Sequence, residues 1–320
     1  MSQTRQRLHA SIWIAIAAVT AASVGCFPSG ANAASHAAAF TPSRFSVEVS
    51  GTGPDVILIP GLATPREVWR PSAEALKGKY RVHLIQLKGF GEAAGANVQG
   101  PVLAPFVAEL ARYIEANHIR RPAVIGHSMG GLAALMLAAD RPALLGKVMV
   151  VDALPFIGTL FDPSATPESI RPRAEQMRSM LLARAEAAKT VTALPPRDCT
   201  GLVGEVPAMP GTMARTAKAA CMIANWSAAA DPNVTAQAMF DDMSVDMRAR
   251  LGEIAVPLTV VFGQDERAFP PAATARFYAG AYEGAKAIEL VPVGQSAHFV
   301  MLDQPEAMLA ALRAFLARAR

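Results

Sequence analysis

The sequence predicts an α/β protein, a mostly parallel central sheet with helices on both faces and a helical segment inserted between two of its strands. Three observations carry this reading. Short, predominantly apolar runs at 56–59, 82–87, 123–125, 147–151, 258–262 and 287–291 lack the regular polar alternation of a half-exposed sheet, so they read as strands buried on both faces. Stretches with helical spacing separate them, which implies crossover connections and therefore parallel strands. The rhythm stops from Leu154 to Glu253, where helical patches alternate with Pro/Gly-rich breaks.

The composition fits a folded enzyme-sized chain. Its 320 residues are 52% hydrophobic and 18% charged, enough for one large core or two modest ones. The net charge is only +4, and two arginines of an N-terminal leader account for half of it, which removes any electrostatic case for nucleic acid. The chain has no internal repeat, no long charge run and no Cys/His cluster of metal-binding type, so neither a metal nor a cofactor is expected.

Residues 1–33 read as a signal peptide: Arg5 and Arg7 precede an apolar run from Ile12 to Gly25, and Ala31-Asn32-Ala33 offers a cleavage site. The run is short for a membrane span, which needs about 20 residues, so an exported, periplasmic or secreted protein without a permanent span is expected. A lipid anchor through Cys26 is the alternative. Export leaves Cys199 and Cys221 as an even pair, a candidate disulfide in an oxidising compartment.

After a linker at 34–44, the first part of the core is expected over 45–153. Phe45–Val49 alternates as a strand, 51–55 is a turn, and the strand at 56–59 runs into Pro60-Gly61-Leu62-Ala63. A helix from Arg66 to Leu76, the strand at 82–87 and a glycine-rich turn at 88–91 follow. The next helix, 101–117, is amphipathic through Leu103, Phe106, Val107, Leu110 and Ile114. Residues 154–253 are expected to form a helical lid, with helices near 167–189, 212–226 and 235–251. The second part of the core, 254–320, resumes with strands at 258–262 and 287–291 and helices at 271–281 and 305–317.

The chemistry centres on 123–139, AVIGHSMGGLAALMLAA. An apolar strand breaks at Gly126, presents Ser128 in the middle of G-x-S-x-G, and resumes as a helix, the pattern of a strand-to-helix corner that exposes a serine hydroxyl. A serine needs a base and a group that orients the base. His298 is the candidate base, in the loop after the strand at 287–291, where parallel sheets place their chemistry. His36, His83 and His118 read as structural, and His127 points away from its neighbour Ser128. Asp265, in the turn after the strand at 258–262, is the expected orienting acid, with Asp152 at the end of the preceding strand as its competitor.

Through IPGLA, GHSMGG, VFGQDE and SAHFVMLDQPE, spread over residues 45–320, the chain resembles a lid-bearing, serine-dependent member of the α/β-hydrolase family. The resemblance implies an oxyanion hole from the backbone N–H groups of Leu62 and Met129. It also implies hydrolysis of a carboxylic ester, lactone, thioester or amide by Ser128, His298 and Asp265 without a cofactor. Pro60 and Gln86 stand where many relatives carry histidine and aspartate. Because a fold does not fix a reaction, C–C hydrolase, lyase or peroxidase chemistry and a ligand-binding receptor are the alternatives. Eight methionines in 154–253, among them Met177, Met209, Met239 and Met243, give a mild bias towards a small-molecule substrate with an apolar acyl group.

Overall fold

A computed structural model of the chain describes residues 40–188, 195–209 and 211–318. The leader at 1–33, Cys26, His36 and the first half of the linker lie outside the described residues, as does Lys189 at the end of the first expected lid helix.

Seven strands form one sheet in the order β1-β3-β2-β4-β5-β6-β7. Strand β1 (Phe45–Ser50) runs antiparallel to β3 (Arg81–Leu87) at one edge. Every other pairing is parallel, through β2 (Asp55–Ile59), β4 (Ala123–His127), β5 (Lys147–Val151), β6 (Leu258–Gln264) and β7 (Ile288–Gly294). The last two strands are longer than their apolar runs because β6 and β7 stay in register as far as Gln264 opposite Gly294.

Period-two alternation sorts each central strand between two cores. Ile57, Ile59, Val124, Val148 and Val150 face one, and Val56, Leu58, Ile125, Met149 and Val151 face the other. Both faces are covered, so no position had to be polar. Helix α1 (Arg70–Leu76), with Trp69 in the turn just before it, and helix α9 (Pro305–Ala317) cover the second face with Leu76, Met308, Leu312 and Phe315. Helices α2 (Leu103–Ala116), α3 (Met129–Asp140) and α7 (Pro271–Ala281) cover the first. Helix α3 is buried from Met129 to Ala139, which explains why its sequence is apolar all round rather than striped.

Chain direction across the sheet reverses between β2 and β4, since the crossover from β2 leads to one side and the crossover from β3 to the other. The carboxyl end of strands flanking such a switch opens a crevice. Ser128 follows β4 at that point.

Between β5 and β6 the chain leaves the sheet and forms α4 (Pro167–Ala188), α5 (Ala217–Ala229) and α6 (Pro232–Ser244). The α5 and α6 boundaries differ from the expected 212–226 and 235–251 because polar caps set them. Thr216 accepts a hydrogen bond from the Ala219 N–H, and Asp231, ahead of Pro232, accepts from Asn233 and Val234, as N-caps do. Helices α4 and α6 share an apolar cluster of Phe156, Ile170, Ala174 and Met243. The insertion is tied to the core through Asp241, whose Oδ2 accepts from the N–H groups of Val102 (2.6 Å) and Leu103 (3.0 Å) at the start of α2. Cys199 and Cys221 form a disulfide with a Cα–Cα distance of 5.8 Å, joining the segment before α5 to α5 itself.

Candidate functional site

Ser128 sits at the corner between β4 and α3 with φ 52° and ψ −126°, a left-handed conformation that costs a non-glycine residue on the order of 1–3 kcal/mol. The corner is tight. A Cβ on Gly126 would lie 2.0 Å from the Gly130 carbonyl oxygen, so that position admits only glycine. The Ser128 N–H donates to the Val151 carbonyl at 2.9 Å, and its own carbonyl accepts from Gly131 and Leu132. Ala63, Asp152 and Gln295, in the turns after β2, β5 and β7, also have positive φ. Four of the six described non-glycine residues with positive φ thus follow strands at the carboxyl edge of the sheet, His118 and Arg121 before β4 being the other two.

His298 lies beyond β7 in the turn leading into α8 (Val300–Asp303) and lines one cavity with Ser128. Its Nδ1–H donates to Asp152 Oδ2 at 2.6 Å. Asp152 Oδ1 accepts from the Gly263 N–H at 2.9 Å and from the Tyr278 hydroxyl at 2.9 Å. The carboxylate is thus held from α7, from the end of β6 and by the imidazole. Its partner Tyr278 has its hydroxyl pushed well above the usual tyrosine range, by burial first and then by the Asp152 charge, so it stays a donor.

Asp265 does not reach His298, and the expectation that it orients the base is corrected here. Arg267 Nη2 and Nε bind its carboxylate at 2.6 and 2.8 Å. Arg215, from the inserted segment, stands 3.6 Å away. The bond to Arg267 above all holds the Asp265 carboxyl below the usual carboxylate range. With both oxygens engaged by arginine, Asp265 belongs to an ion-pair cluster with Glu205 and Glu266. Asp152, the competing acid, occupies the place opposite Nδ1.

His127 is fully buried and donates through Nε2 to the His298 carbonyl at 3.1 Å, with the two rings 4.7 Å apart. Burial, and then the neighbouring His298, keeps its pKa well below 6.5. It is a neutral strut under the base. The loop around His298 has a further brace, since Asp303 accepts from the N–H groups of Ala297, Arg215 and Thr216. Asp303 therefore joins this loop to the inserted segment.

Of the expected oxyanion donors, Met129 directly follows Ser128 and Leu62 lies in the loop after β2. Met129 opens α3, where the first N–H groups have no intrahelical acceptor. Leu62 follows Gly61, on which a Cβ would lie 2.9 Å from the Ser128 Cβ, so the loop after β2 is packed against the corner. Gln86 fixes that loop from below by accepting from the Arg66 N–H at 2.8 Å and donating to the Phe90 carbonyl. An amide can do both; a carboxylate could only accept.

The cavity containing Ser128 and His298 has a volume of about 160 Å³ and is walled by Leu132, Leu154, Ile157 and Leu160, with Asp242 among its lining groups. On the other side of His298 lies a larger, mainly apolar space of about 480 Å³, reached by Phe269, Phe277, Thr212 and Met209. Of the eight methionines of the inserted segment, Met209 alone lines either space. Met243, with Met177 and Met239 against it, packs between α4 and α6, and Met247 packs in the core, so packing accounts for half of the eight, while Met180, Met209 and Met213 are exposed. No group of three or more His, Cys, Asp or Glu side chains among the described residues is placed to hold a metal ion. No helix among them is long and apolar enough to cross a membrane.

Tyr278 and the Gly263 N–H, which fix Asp152, carried no signal in the sequence beyond lying after β6. Asp242 gave none either, because an Asp-Asp pair in a helical stretch reads as a solvated face.

Comparison with known proteins agrees with this architecture. A pimeloyl-[acyl-carrier protein] methyl ester esterase of Vibrio atlanticus is 30% identical over 115 residues, 36% of this chain and 42% of that protein. The match thus spans less than half the length of that relative. Among solved structures, the enol-lactonase of Burkholderia xenovorans superposes with a TM-score of 0.62 at 22% identity, covering 86% of this chain and 96% of its own. A thermophilic esterase of Thermogutta terrifontis gives 0.63 at 22% identity, covering 85% and 92%. The model of the alpha/beta hydrolase family matches residues 56–311. With that match, the seven-stranded sheet and a strained serine at the switch point, the chain belongs to the alpha/beta hydrolase family.

Proposed function

We propose that the protein is a serine hydrolase of carboxylic esters that works through Ser128, His298 and Asp152. The observation that carries this is the 2.6 Å contact from His298 Nδ1 to a carboxylate already held by Tyr278 and Gly263, in the cavity that Ser128 lines. With Nδ1 holding its proton, Nε2 is the free base. It takes the Ser128 proton as Oγ attacks the ester carbonyl, and the negative charge that forms on the carbonyl oxygen falls to the N–H groups of Leu62 and Met129. The imidazolium returns the proton to the leaving alcohol. Water then enters by the same steps in reverse order and releases the acid, restoring Ser128. Asp152 keeps its charge throughout and stabilises the imidazolium.

The two spaces divide the substrate. A cavity of about 150 Å³ accepts roughly one benzene-sized group, so the 160 Å³ cavity beside Ser128 suits a small group, and the 480 Å³ space suits a larger apolar portion. The inserted segment contributes Leu160 and Asp242 to the smaller cavity and Leu160, Met209 and Thr212 to the larger space, and we assign it the role of a substrate-selecting lid. The disulfide between Cys199 and Cys221 fits an oxidising compartment and supports reading residues 1–33 as an export signal; the N-terminal residue of the protein recovered from cells tests this.

The test of the chemistry is labelling with a fluorophosphonate followed by an ester panel of increasing chain length. Labelling at Ser128 and turnover of short esters are expected. A folded protein that is not labelled would overturn the serine-hydrolase reading, and labelling without ester turnover would turn it towards lyase or receptor roles.

A further inference from the structure

The inserted segment brings one more carboxyl group to the reacting centre. Asp242, on α6, lines the 160 Å³ cavity together with Ser128, His298, Asp152 and Tyr278, and only 7% of it is exposed. Its neighbour Asp241 is fully engaged, accepting from Val102, Leu103 and the Gln237 amide. No hydrogen bond from any described residue reaches the Asp242 carboxyl. The surrounding wall is aliphatic, through Leu132, Leu154 and Ile157. A buried carboxyl without a donor is costly to charge, and burial raises this one to about 7, against the pull of His298 and with a further push from Asp241. It lines the same cavity as the nucleophile, with its hydrogen-bonding capacity unused by any described residue.

We propose that Asp242 is a specificity-determining residue whose carboxylate receives an ammonium or hydroxyl group of the substrate close to the scissile bond. The enzyme then favours small esters that carry such a donor over apolar esters of the same shape, and rejects esters that carry a carboxylate there. This rests on the serine-hydrolase reading of the same cavity. The attraction for a donor is strengthened by the aliphatic wall around the carboxylate, and the rejection of an anion follows from the same charge with the sign reversed.

The groups that face Asp242 across the cavity are His298, Asp152 and Tyr278, and Asp241 adjoins it on α6. His298 is a second ionisable group lining the same cavity, so its contribution has to be separated from that of Asp242.

Binding is measured on the Ser128→Ala protein, which cannot turn the ligands over, by ligand-observed NMR at pH 6 and pH 8. The probes are β-alanine methyl ester, methyl butyrate of the same skeleton, and monomethyl malonate. At pH 8 the amino ester is expected to bind at least ~10-fold more tightly than methyl butyrate, and monomethyl malonate at least ~10-fold more weakly. The preference should shrink at pH 6, where Asp242 is protonated. In the double variant with Asp242→Asn both ratios should fall towards one, and whatever pH dependence remains comes from the other groups of the cavity. Equal binding of the amino ester and methyl butyrate by folded Ser128→Ala protein at pH 8 would overturn the proposal, as would a preference that survives Asp242→Asn. Because the pH comparison uses the native Asp242, the proposal is tested even if the double variant does not fold. Fluorophosphonate labelling of the unmodified protein reports separately on the serine-hydrolase reading.

Discussion

Two turns at the same edge of the sheet each present an aspartate to the same cavity region, and they have opposite surroundings. Asp152, after β5, is reached by a tyrosine hydroxyl, a backbone N–H and the His298 imidazole. None of these is a permanent positive charge, so its negative charge is available to an imidazolium. Asp265, after β6, is clasped by Arg267 and approached by Arg215, and its charge is already neutralised. The difference teaches that a position after a strand does not make a carboxylate catalytic. What matters is whether its field is spent elsewhere. A third carboxyl, Asp242, lines the cavity and receives no hydrogen bond from any described residue, and its charge is the one we propose to be left for the substrate.

Removing the nucleophile sets the floor for the comparison. Ser128→Ala should lower kcat for a short p-nitrophenyl ester by at least ~10⁴-fold while leaving the fold intact. Retention of more than a few per cent of activity would mean that some other group attacks.

The unpartnered carboxyl predicts a stability effect with a definite sign. An unfolded Asp loses its proton near 3.9, whereas native Asp242 holds it up to about 7. Its contribution is therefore fully present below the unfolded value and is lost as pH rises towards 7, by at most about 1.4 kcal/mol per pH unit, with no further change above. Asp242→Asn removes that slope, so its melting temperature should gain on the parent's between pH 4.5 and pH 7.5. A difference in melting temperature that does not vary with pH would contradict the assignment.

The disulfide bears on the Asp265 side, because the segment it anchors carries Arg215. Replacing Cys199 and Cys221 by serine should cost about 3 kcal/mol of stability in denaturant titrations, as expected for a closed loop of this length. The same variant should keep its rate at low temperature to within a few-fold. The smallest effect acts on the Asp152 side alone. Tyr278→Phe removes one donor from that carboxylate, worth about 1.4 kcal/mol, and should lower kcat about tenfold with KM nearly unchanged. A change confined to KM would place Tyr278 in substrate binding instead.

Much of the architecture was legible in the sequence because strands buried on both faces leave continuous apolar runs, and the runs around Ile57, Val124, Val148 and Val260 lie in the sheet. Ser128 and His298 could be found because each follows such a run, and they do meet in one cavity. The acid could not be chosen the same way, since Asp152 and Asp265 both follow strands of one sheet. Asp265 is taken up by Arg267, two residues on, and by Arg215 from the inserted segment, whereas Asp152 is held by Tyr278, whose hydroxyl points inward from α7. An arginine two residues from an aspartate is no sign by itself that it binds it, and the other two relations have no local signature. The inserted helices were placed less well, because capping by Thr216 and Asp231 rather than apolar periodicity sets their ends. Asp242 was invisible for a related reason: only the docking of α6 through Asp241 turns its neighbour towards the cavity.

The most direct test compares kcat/KM of Asp152→Asn and Asp265→Asn for one short ester, with melting temperatures to confirm folding. Asp152→Asn should fall by ~10³- to 10⁴-fold, as when the carboxylate that sets a catalytic histidine's tautomer is lost. Asp265→Asn should stay within about tenfold of the parent, with its main cost in stability as Arg267 loses its partner. The reverse ranking in folded proteins would contradict the assignment of Asp152 as the group that orients His298.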